Sequence, residues 1–281
     1  RMRSVLGFEL CCACVDHGIR DDTAEEIALV RSFAGDLDVP FSELTGDAPG
    51  VLDRNGGGLE QAAREVRLGL LAGEARKREA HGVALAHTLD DQAETVIMRI
   101  QRGTGLSGLG AMRPIRDGFW IRPLLQTARS SVAAYASRHR VPWIQDPTNR
   151  DPGFTRNRIR LEVLPVMEQI QPGIAERLAK LAHEAQDAGD VLAPLVNSAV
   201  KEAALSWEGT WILDRVVLDS MDRFLASLVV REVLRRLLGD LRGMGRSHVR
   251  SVMSLARSGC GSRRVDLPRG VKRSEEHTSE L

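Results

Sequence analysis

The chain has 281 residues, enough for one large domain or two of ordinary size. Its four cysteines, at positions 11, 12, 14 and 260, are too few and too irregularly spaced for a disulfide framework or a zinc-type site. The sequence shows neither a signal peptide nor an apolar run of about 18 residues, so we expect a cytosolic protein that does not enter a membrane.

The formal net charge is only +1, but the basic residues are concentrated in the middle of the chain. Residues 99–160 contain 12 arginines and 3 aspartates, whereas residues 1–98 contain 10 basic and 18 acidic residues. Because guanidinium groups pair well with phosphates, this distribution favours a polyanionic partner. A solvated basic surface is the alternative.

The first part of the chain alternates between predicted strands and helices. Apolar patterns predict strands at 8–15, 39–44 and 83–86 and helices at 22–33 and 59–80. Residues 46–58, rich in Gly, Asp and Pro, read as a loop, and the cysteines at 11, 12 and 14 read as small buried side chains. This alternation predicts an α/β fold with a doubly wound parallel sheet and helices on both faces.

Two predicted strands are followed by residues with titratable side chains. Asp16 and His17 follow the first strand, and His87 follows the strand at 83–86. Ligands of open parallel sheets bind beyond the carboxyl ends of the strands. A helix capped by Thr88 or Asp90 then runs to about residue 102, and the spacing of Asp91 and Glu94 places both on one of its faces. This group could bind a cation, orient an ammonium or move a proton, although the acids could equally serve only the helix dipole.

The rest of the chain is predicted to be mainly helical. A helix is expected at 129–139, and Arg156, Arg158 and Arg160 lie close enough in sequence to clamp a phosphate. Helical periodicity dominates from residue 171, with clear helices at 224–238 and 248–256 and a short strand at 211–213. We therefore predict a catalytic domain at 1–165, a mostly helical substrate-binding domain at 166–272 and a non-native polar tail at 273–281.

Two long segments carry a family resemblance. The sequence AHTLDDQAETVIMRIQRGTGLSGLGAM at 86–112 resembles the AHHxDDQAET and RGxGxxGL signatures of tRNA(Ile)-lysidine synthetases, in the PP-loop ATP pyrophosphatase superfamily. QDPTNRDPGFTRNRIRLEVLP at 145–165 is similar to a second family pattern, and VDHGIR, AAREVR and IRPLL match shorter ones. The chain departs from the family at Thr88, where a second histidine is usual.

The resemblance implies a fold, a reaction and a set of site residues. The fold is the adenine-nucleotide α-hydrolase-like fold. The reaction uses ATP and Mg²⁺ to join free L-lysine to C2 of the wobble cytidine in the CAU anticodon of tRNA(Ile), through an adenylated intermediate. The implied roles are lysine or metal binding for Asp91 and Glu94, with Asp91 as the metal ligand; contact with the adenylated intermediate for His87; substrate binding for Arg67, Arg156, Asn157 and Arg160; and nucleotide binding for Asp16 and His17.

The SGGxDS phosphate loop of that family does not occur in these 281 residues. In the family this loop precedes the strand that matches residues 8–15. We therefore expect the natural gene to continue upstream of Arg1, and the 281-residue chain alone to be unable to cleave ATP.

Two other functions remain open at this stage. A PP-loop tRNA thiolase would need a reactive cysteine pair, for which Cys12 and Cys14 are the available residues. A non-catalytic RNA-binding module would use the arginine-rich middle but leaves Asp91 and Glu94 without a role. The sequence also leaves open whether the protein acts as a monomer or a homodimer.

Overall fold

The computed structural model describes residues 5, 7–19, 23–55, 58–144, 147–241, 243–257, 264–270 and 272–274. The chain separates into a first unit, Arg1–Gln186, and a second unit, Asp187–Leu281. The predicted functional boundary after residue 165 stays a prediction. Some predictions concern positions outside the described residues: a helix start at Asp22, the first two residues of the family-like segment at 145–165, the cysteine at 260 and most of the tail.

Parallel strand pairing organises the first unit. Strand β1 (Cys12–Asp16) pairs in parallel with β2 (Phe41–Thr45) over five residues. Strand β3 (Val83–Ala84) pairs in parallel with β5 (Trp120–Ile121), and β4 (Ile115–Arg116) is antiparallel to β5. The predicted α/β fold with a parallel sheet is confirmed.

The first strand differs from its prediction in position and burial. It begins at Cys12, not at residue 8, because its register with β2 starts opposite Phe41. The preceding Phe8 and Leu10 are exposed. Cys11 is exposed and Cys12 and Cys14 are half-buried, so the expectation of three buried cysteines is wrong. An apolar run alone does not show which of its residues find a pairing partner.

The predicted helices of the first unit are present, and the described residues contain four shorter helices that were not predicted. Their bounds are α1 Thr23–Asp36, α2 Ala48–Asn55, α3 Leu59–Lys77, α4 Leu89–Gln101, α5 Leu106–Leu109, α6 Arg129–Arg138, α7 Thr155–Arg158 and α8 Leu164–Ile170, with a 3-10 turn at Pro147–Arg150 and a π-helical segment at Ile159–Val163. Helix α2 lies in the predicted loop. Asp47 accepts hydrogen bonds from the backbone N–H of Gly50 (2.8 Å) and Val51 (3.2 Å), and Pro49 suits a first helical turn.

Contacts on two sides of helix α4 fix its position. Its Ala93 and Val96 are buried against Leu178 and Ala182. On another side, Gln92 donates from Nε2 to the carbonyl of Met112 and accepts from its N–H, both at 2.9 Å. A buried amide that is paired twice in this way holds the helix in one rotation about its axis, and the residues at its start inherit that position.

The second unit is mostly helical, as predicted. Its elements are the C-terminal part of α9 (Ile174–Ala203), the hairpin β6 (Ala204–Trp207) and β7 (Thr210–Leu213), α10 (Arg215–Ser220), α11 (Arg223–Leu238), α12 (Arg246–Arg257), and β8 (Arg264–Asp266) paired with β9 (Lys272–Ser274). Val200, Leu218 and Val229 form the centre of its core. Within the described part of the chain, no helix combines the length and apolar character that a membrane crossing needs.

Candidate functional site

Thr88 begins helix α4 and fixes the carboxylate of Asp91. Its backbone N–H and its hydroxyl both donate to Asp91 Oδ2, at 2.7 and 2.8 Å, and the Asp91 N–H points back at the hydroxyl in a capping box. Of the two caps allowed by the sequence, the structure selects Thr88. Asp90 instead accepts a hydrogen bond from the backbone N–H of Arg129, at 2.7 Å, and so ties the start of α6 to the start of α4.

Asp91 and Glu94 face the same surroundings, as their spacing predicts. Glu94 is completely buried, and its carboxylate receives hydrogen bonds from three arginines. Two of these arginines also donate hydrogen bonds to Asp91, and Nη2 of the third, Arg160, lies 3.8 Å from Asp91 Oδ1. We call Asp91, Glu94, Arg129, Arg156 and Arg160 the acid–arginine cluster.

The three arginines hold the acids in different ways. Arg156 bridges them, with Nε 2.6 Å from Glu94 Oε2 and Nη2 3.0 Å from Asp91 Oδ1. Arg160 binds Glu94 with both arms of its fork, at 2.7 and 3.1 Å, and donates from Nη1 to Asn149 at 3.1 Å. Arg129 uses the single nitrogen Nη2, which lies 3.1 Å from Asp91 Oδ1 and 3.2 Å from Glu94 Oε1.

These contacts keep both acids ionised despite their burial. Burial would raise the pKa of Asp91, but the hydrogen bonds from Thr88 and the charges of Arg156 and Arg129 lower it below its ordinary value. Burial likewise opposes ionisation of Glu94, and the hydrogen bonds from Arg160 and Arg156 lower its pKa. Three guanidinium groups face two carboxylates, so the cluster carries one excess positive charge.

The polar side chains of the segment that contains Arg156 and Arg160 point in different directions. Arg156 and Arg160 are four residues apart and point to the same place. Arg158 points elsewhere, is 63% exposed and pairs with Glu162. The prediction that all three arginines form one clamp is therefore wrong for Arg158. Asn157 is buried and donates to the carbonyls of Thr148 and Asp151, which holds the preceding loop. A direct substrate contact by Asn157 stays a prediction.

The partners of Arg156 and Arg160 also differ from the expected ones. The sequence predicts that both bind a substrate phosphate, yet their guanidinium groups are engaged by Asp91 and Glu94. A phosphate would therefore compete with two carboxylates for them. Arg129 was not anticipated as a site residue, because its only local sequence signal was the start of a helix.

His87 is neutral at physiological pH. Burial, followed by the charge of Arg122, lowers its pKa to about 4, although the nearby Asp91 opposes this shift. Its Nδ1 is buried without a hydrogen-bond partner among the described residues. A neutral imidazole beside Asp91 can accept a proton or a hydrogen bond from a bound ligand.

This shift predicts how stability depends on pH. The folded pKa of His87 is about 4 and its ordinary value is 6.5, so between these values the unfolded chain binds more protons. Stability should fall as the pH is lowered through this window. We expect the free energy of unfolding, measured in urea, to fall less between pH 7 and pH 5 for His87→Gln than for the unmodified chain. The exposed His81, changed to Gln, is the control; an equal loss in both variants would contradict the prediction.

A second part of the site joins the end of β1 to helix α3. The Asp16 carboxylate accepts from the Gly18 N–H at 2.9 Å and from the Thr23 hydroxyl at 3.0 Å, so it shapes the turn after the strand. Burial and the charge of Arg67 lower the pKa of the neighbouring His17. Nucleotide binding by Asp16 and His17 stays a prediction, and Asp16 already has a structural role.

Arg67 is a partly buried cation near the acid–arginine cluster. Burial, with the charge of Arg156, lowers its pKa, and its Nε has no hydrogen-bond partner in the described part of the chain. Arg64 and Arg122 share these surroundings, since burial and neighbouring arginines lower both of their pKa values. Partly or fully buried arginines that repel one another would be stabilised by an anion. Among them only Arg67 was predicted as a site residue, although the sequence places Arg64 on the same helix face.

The described residues do not form a closed metal site. No group of three or more His, Cys, Asp or Glu side chains comes together within them. Both oxygens of Asp91 are already engaged, by Thr88 on one side and by arginines on the other. The prediction of a metal at Asp91 therefore gains no support from this geometry.

Comparison with known proteins shows the family that this chain resembles. A family model described as a PP-loop domain matches residues 1–167. The chain is 34% identical to the tRNA(Ile)-lysidine synthase of Thermobifida fusca, over 98% of this chain and 83% of that protein. It is 40% identical to that of Thermosipho africanus, over 61% of this chain and 40% of that protein, and 35% identical to that of Symbiobacterium thermophilum, over 92% and 56%. The chain thus spans about half the length of several curated relatives that it matches.

A solved structure resembles the fold of the chain. It is the U34-tRNA thiolase NcsA from Methanococcus maripaludis with its [4Fe-4S] cluster, with a TM-score of 0.52 and 16% sequence identity. The match covers 63% of this chain and 62% of that one. At this identity the likeness concerns the fold alone.

Proposed function

Because the chain belongs to the tRNA(Ile)-lysidine synthase family and carries its PP-loop domain, we propose that it takes part in the ATP-dependent joining of L-lysine to tRNA(Ile) with a CAU anticodon. In the first step the C2 oxygen of the wobble cytidine bonds to the α-phosphorus of ATP, and pyrophosphate leaves. In the second step the ε-amine of lysine bonds to C2, loses a proton, and AMP leaves with the oxygen.

The observation that carries this proposal is the pair of ionised acids within a basic surrounding. Asp91 and Glu94 offer negative charge to the ammonium group of an amino acid, and both are kept ionised by their neighbours. Arg64, Arg67 and Arg122 offer positive charge to phosphates of the nucleotide or the tRNA. One site of this composition suits a reaction that brings an amine to an anionic nucleic acid.

His87 fits the role of a neutral hydrogen-bond acceptor beside the acids. Since its pKa is lowered to about 4, it stays uncharged at neutral pH, and its buried Nδ1 has no partner among the described residues and can accept a hydrogen bond from a bound ligand. Arg156 and Arg160 act mainly by positioning Glu94 and Asp91. Their direct contact with a substrate phosphate would require an exchange of partners.

ATP is implied by the family and Mg²⁺ would accompany its phosphates, as magnesium commonly does. The described residues contain no closed metal cage, and the roles proposed for Asp91 and Glu94 involve their charge alone. Whether the 281-residue chain alone uses ATP stays a prediction, for which ATP–pyrophosphate exchange is the measurement. A cytoplasmic location and a homodimer also stay predictions.

The alternatives gain no specific support. A thiolase would use reactive thiolates, but burial raises the pKa values of Cys12 and Cys14 and so disfavours the thiolate at neutral pH. A purely RNA-binding module would display its arginines outward, whereas three arginines of the basic segment turn inward onto Asp91 and Glu94.

The proposal is tested with the complete gene product and radiolabelled L-lysine. We expect ATP-dependent incorporation into a tRNA(Ile) transcript with a CAU anticodon, and none into the same transcript with a GAU anticodon. Asp91→Asn should abolish incorporation. Lysine-independent consumption of ATP with transfer of sulfur to the RNA would instead favour the thiolase, and RNA binding with no incorporation would favour the binding module.

A further inference from the structure

Arg129 contacts the acids in a way that a primary ammonium could copy. Its Nη2 is one nitrogen that bridges one oxygen of each acid, 3.1 Å from Asp91 Oδ1 and 3.2 Å from Glu94 Oε1. A protonated primary amine is likewise a single nitrogen with several N–H donors. Arg156 and Arg160, in contrast, each use two nitrogens on the acids, and their closest contacts are 2.6 and 2.7 Å.

Arg129 is also the member of the cluster best placed to leave. Its side chain is 39% exposed, against 23% for Arg156 and 21% for Arg160. Its backbone N–H remains bonded to Asp90 at 2.7 Å, which anchors the start of α6. The guanidinium group can therefore swing into solvent by side-chain rotation, with no movement of the helix.

The charge of the cluster favours exchange over addition. Three guanidinium groups and two carboxylates already leave one positive charge in excess. A further ammonium would add a second uncompensated charge beside a buried carboxylate, which is costly at low dielectric. Replacing the guanidinium of Arg129 with an ammonium keeps the total charge unchanged.

We propose that Arg129 is an internal plug of the amine site, and that its guanidinium must leave Asp91 and Glu94 before the ammonium of lysine can occupy the same position. This inference rests on the proposed function, in which these acids bind lysine. It makes Arg129 a specificity determinant, because a ligand must supply a positive charge to replace the one that departs. The apparent affinity for lysine is reduced by the fraction of molecules in which Arg129 holds the acids.

The test measures L-lysine binding to the 281-residue chain by isothermal titration calorimetry. Arg129→Met removes the charge while keeping an aliphatic stem, and we expect it to lower the Kd for lysine about fivefold or more. Arg129→Gln should change the Kd in the same direction and serves as a second variant if the first folds poorly. Arg158→Met, at an exposed arginine of the same basic segment that pairs with Glu162, is the matched control and should leave the Kd unchanged.

The outcomes separate this proposal from the function on which it rests. Lysine binding with an unchanged or higher Kd in both Arg129 variants overturns the plug and leaves the amine site standing. Failure of the unmodified chain and of both variants to bind lysine overturns the plug together with the lysine site. Norleucine resembles lysine but has no side-chain ammonium, so the Arg129 variants should bind it no more tightly than the unmodified chain does. An equal gain in affinity for norleucine and for lysine would also overturn the proposal, because the exchange requires a cationic side chain at the acids.

Discussion

Replacing Glu94 with Gln is expected to lower the free energy of unfolding by about 3–5 kcal/mol, the usual cost of removing one member of a buried ion pair. The substitution keeps the size and shape of the side chain and removes its charge. Glu94 is completely buried and receives hydrogen bonds from Arg129, Arg156 and Arg160. After the change, three partly buried cations are left with Asp91 alone.

The matched control is Glu162→Gln, which breaks the ion pair with Arg158 at a surface position. Both partners of that pair are more than half exposed, at 52% and 63%, so its loss should cost at most about 1 kcal/mol. Urea unfolding of the two variants measures the difference. Equal stabilities would mean that charge does not hold the acid–arginine cluster together. In the complete gene product, Glu94→Gln should also abolish lysine incorporation.

The local part of this site could be predicted from the sequence. A threonine three residues before an aspartate indicates a capping box, and the structure has one at Thr88 and Asp91. The three-residue spacing of Asp91 and Glu94 places them on one helix face, and they share two arginines. These relations lie within one helical turn, where the backbone geometry alone decides them.

The pairing partners could not be predicted in the same way. Arg129 is 35 residues from Glu94 along the chain and Arg160 is 66 residues away, so their meeting depends on how separate elements pack. A basic segment suits a phosphate and a carboxylate equally well. The family resemblance narrowed the list of residues but did not show that Arg156 and Arg160 bind the acids. Helix α2 was missed for a related reason, since residues 46–58 have a loop-like composition and only the Asp47 contacts reveal a helix start.

Arg67→Met is expected to separate activity from stability. In the proposed function Arg67 contacts a phosphate, and the loss of one such partly buried donor should lower kcat/KM for lysine incorporation by about 100-fold or more. The charged side chain of Arg67, however, destabilises the folded chain. Burial and the charge of Arg156 lower its pKa, and its Nε lacks a partner among the described residues.

The variant should therefore unfold in urea at the same concentration as the unmodified chain or at a higher one. This outcome differs from that of Glu94→Gln, because Glu94 is surrounded by opposite charges and Arg67 by like ones. Arg76→Met, at an exposed position in the last turn of the same helix, should change neither stability nor activity. Lower stability with full activity in Arg67→Met would show that Arg67 supports the fold and that the phosphate contact is made elsewhere. If both predictions hold, the acids of the cluster and their arginine partners stabilise the fold together, whereas the arginines beside them serve to bind an anion.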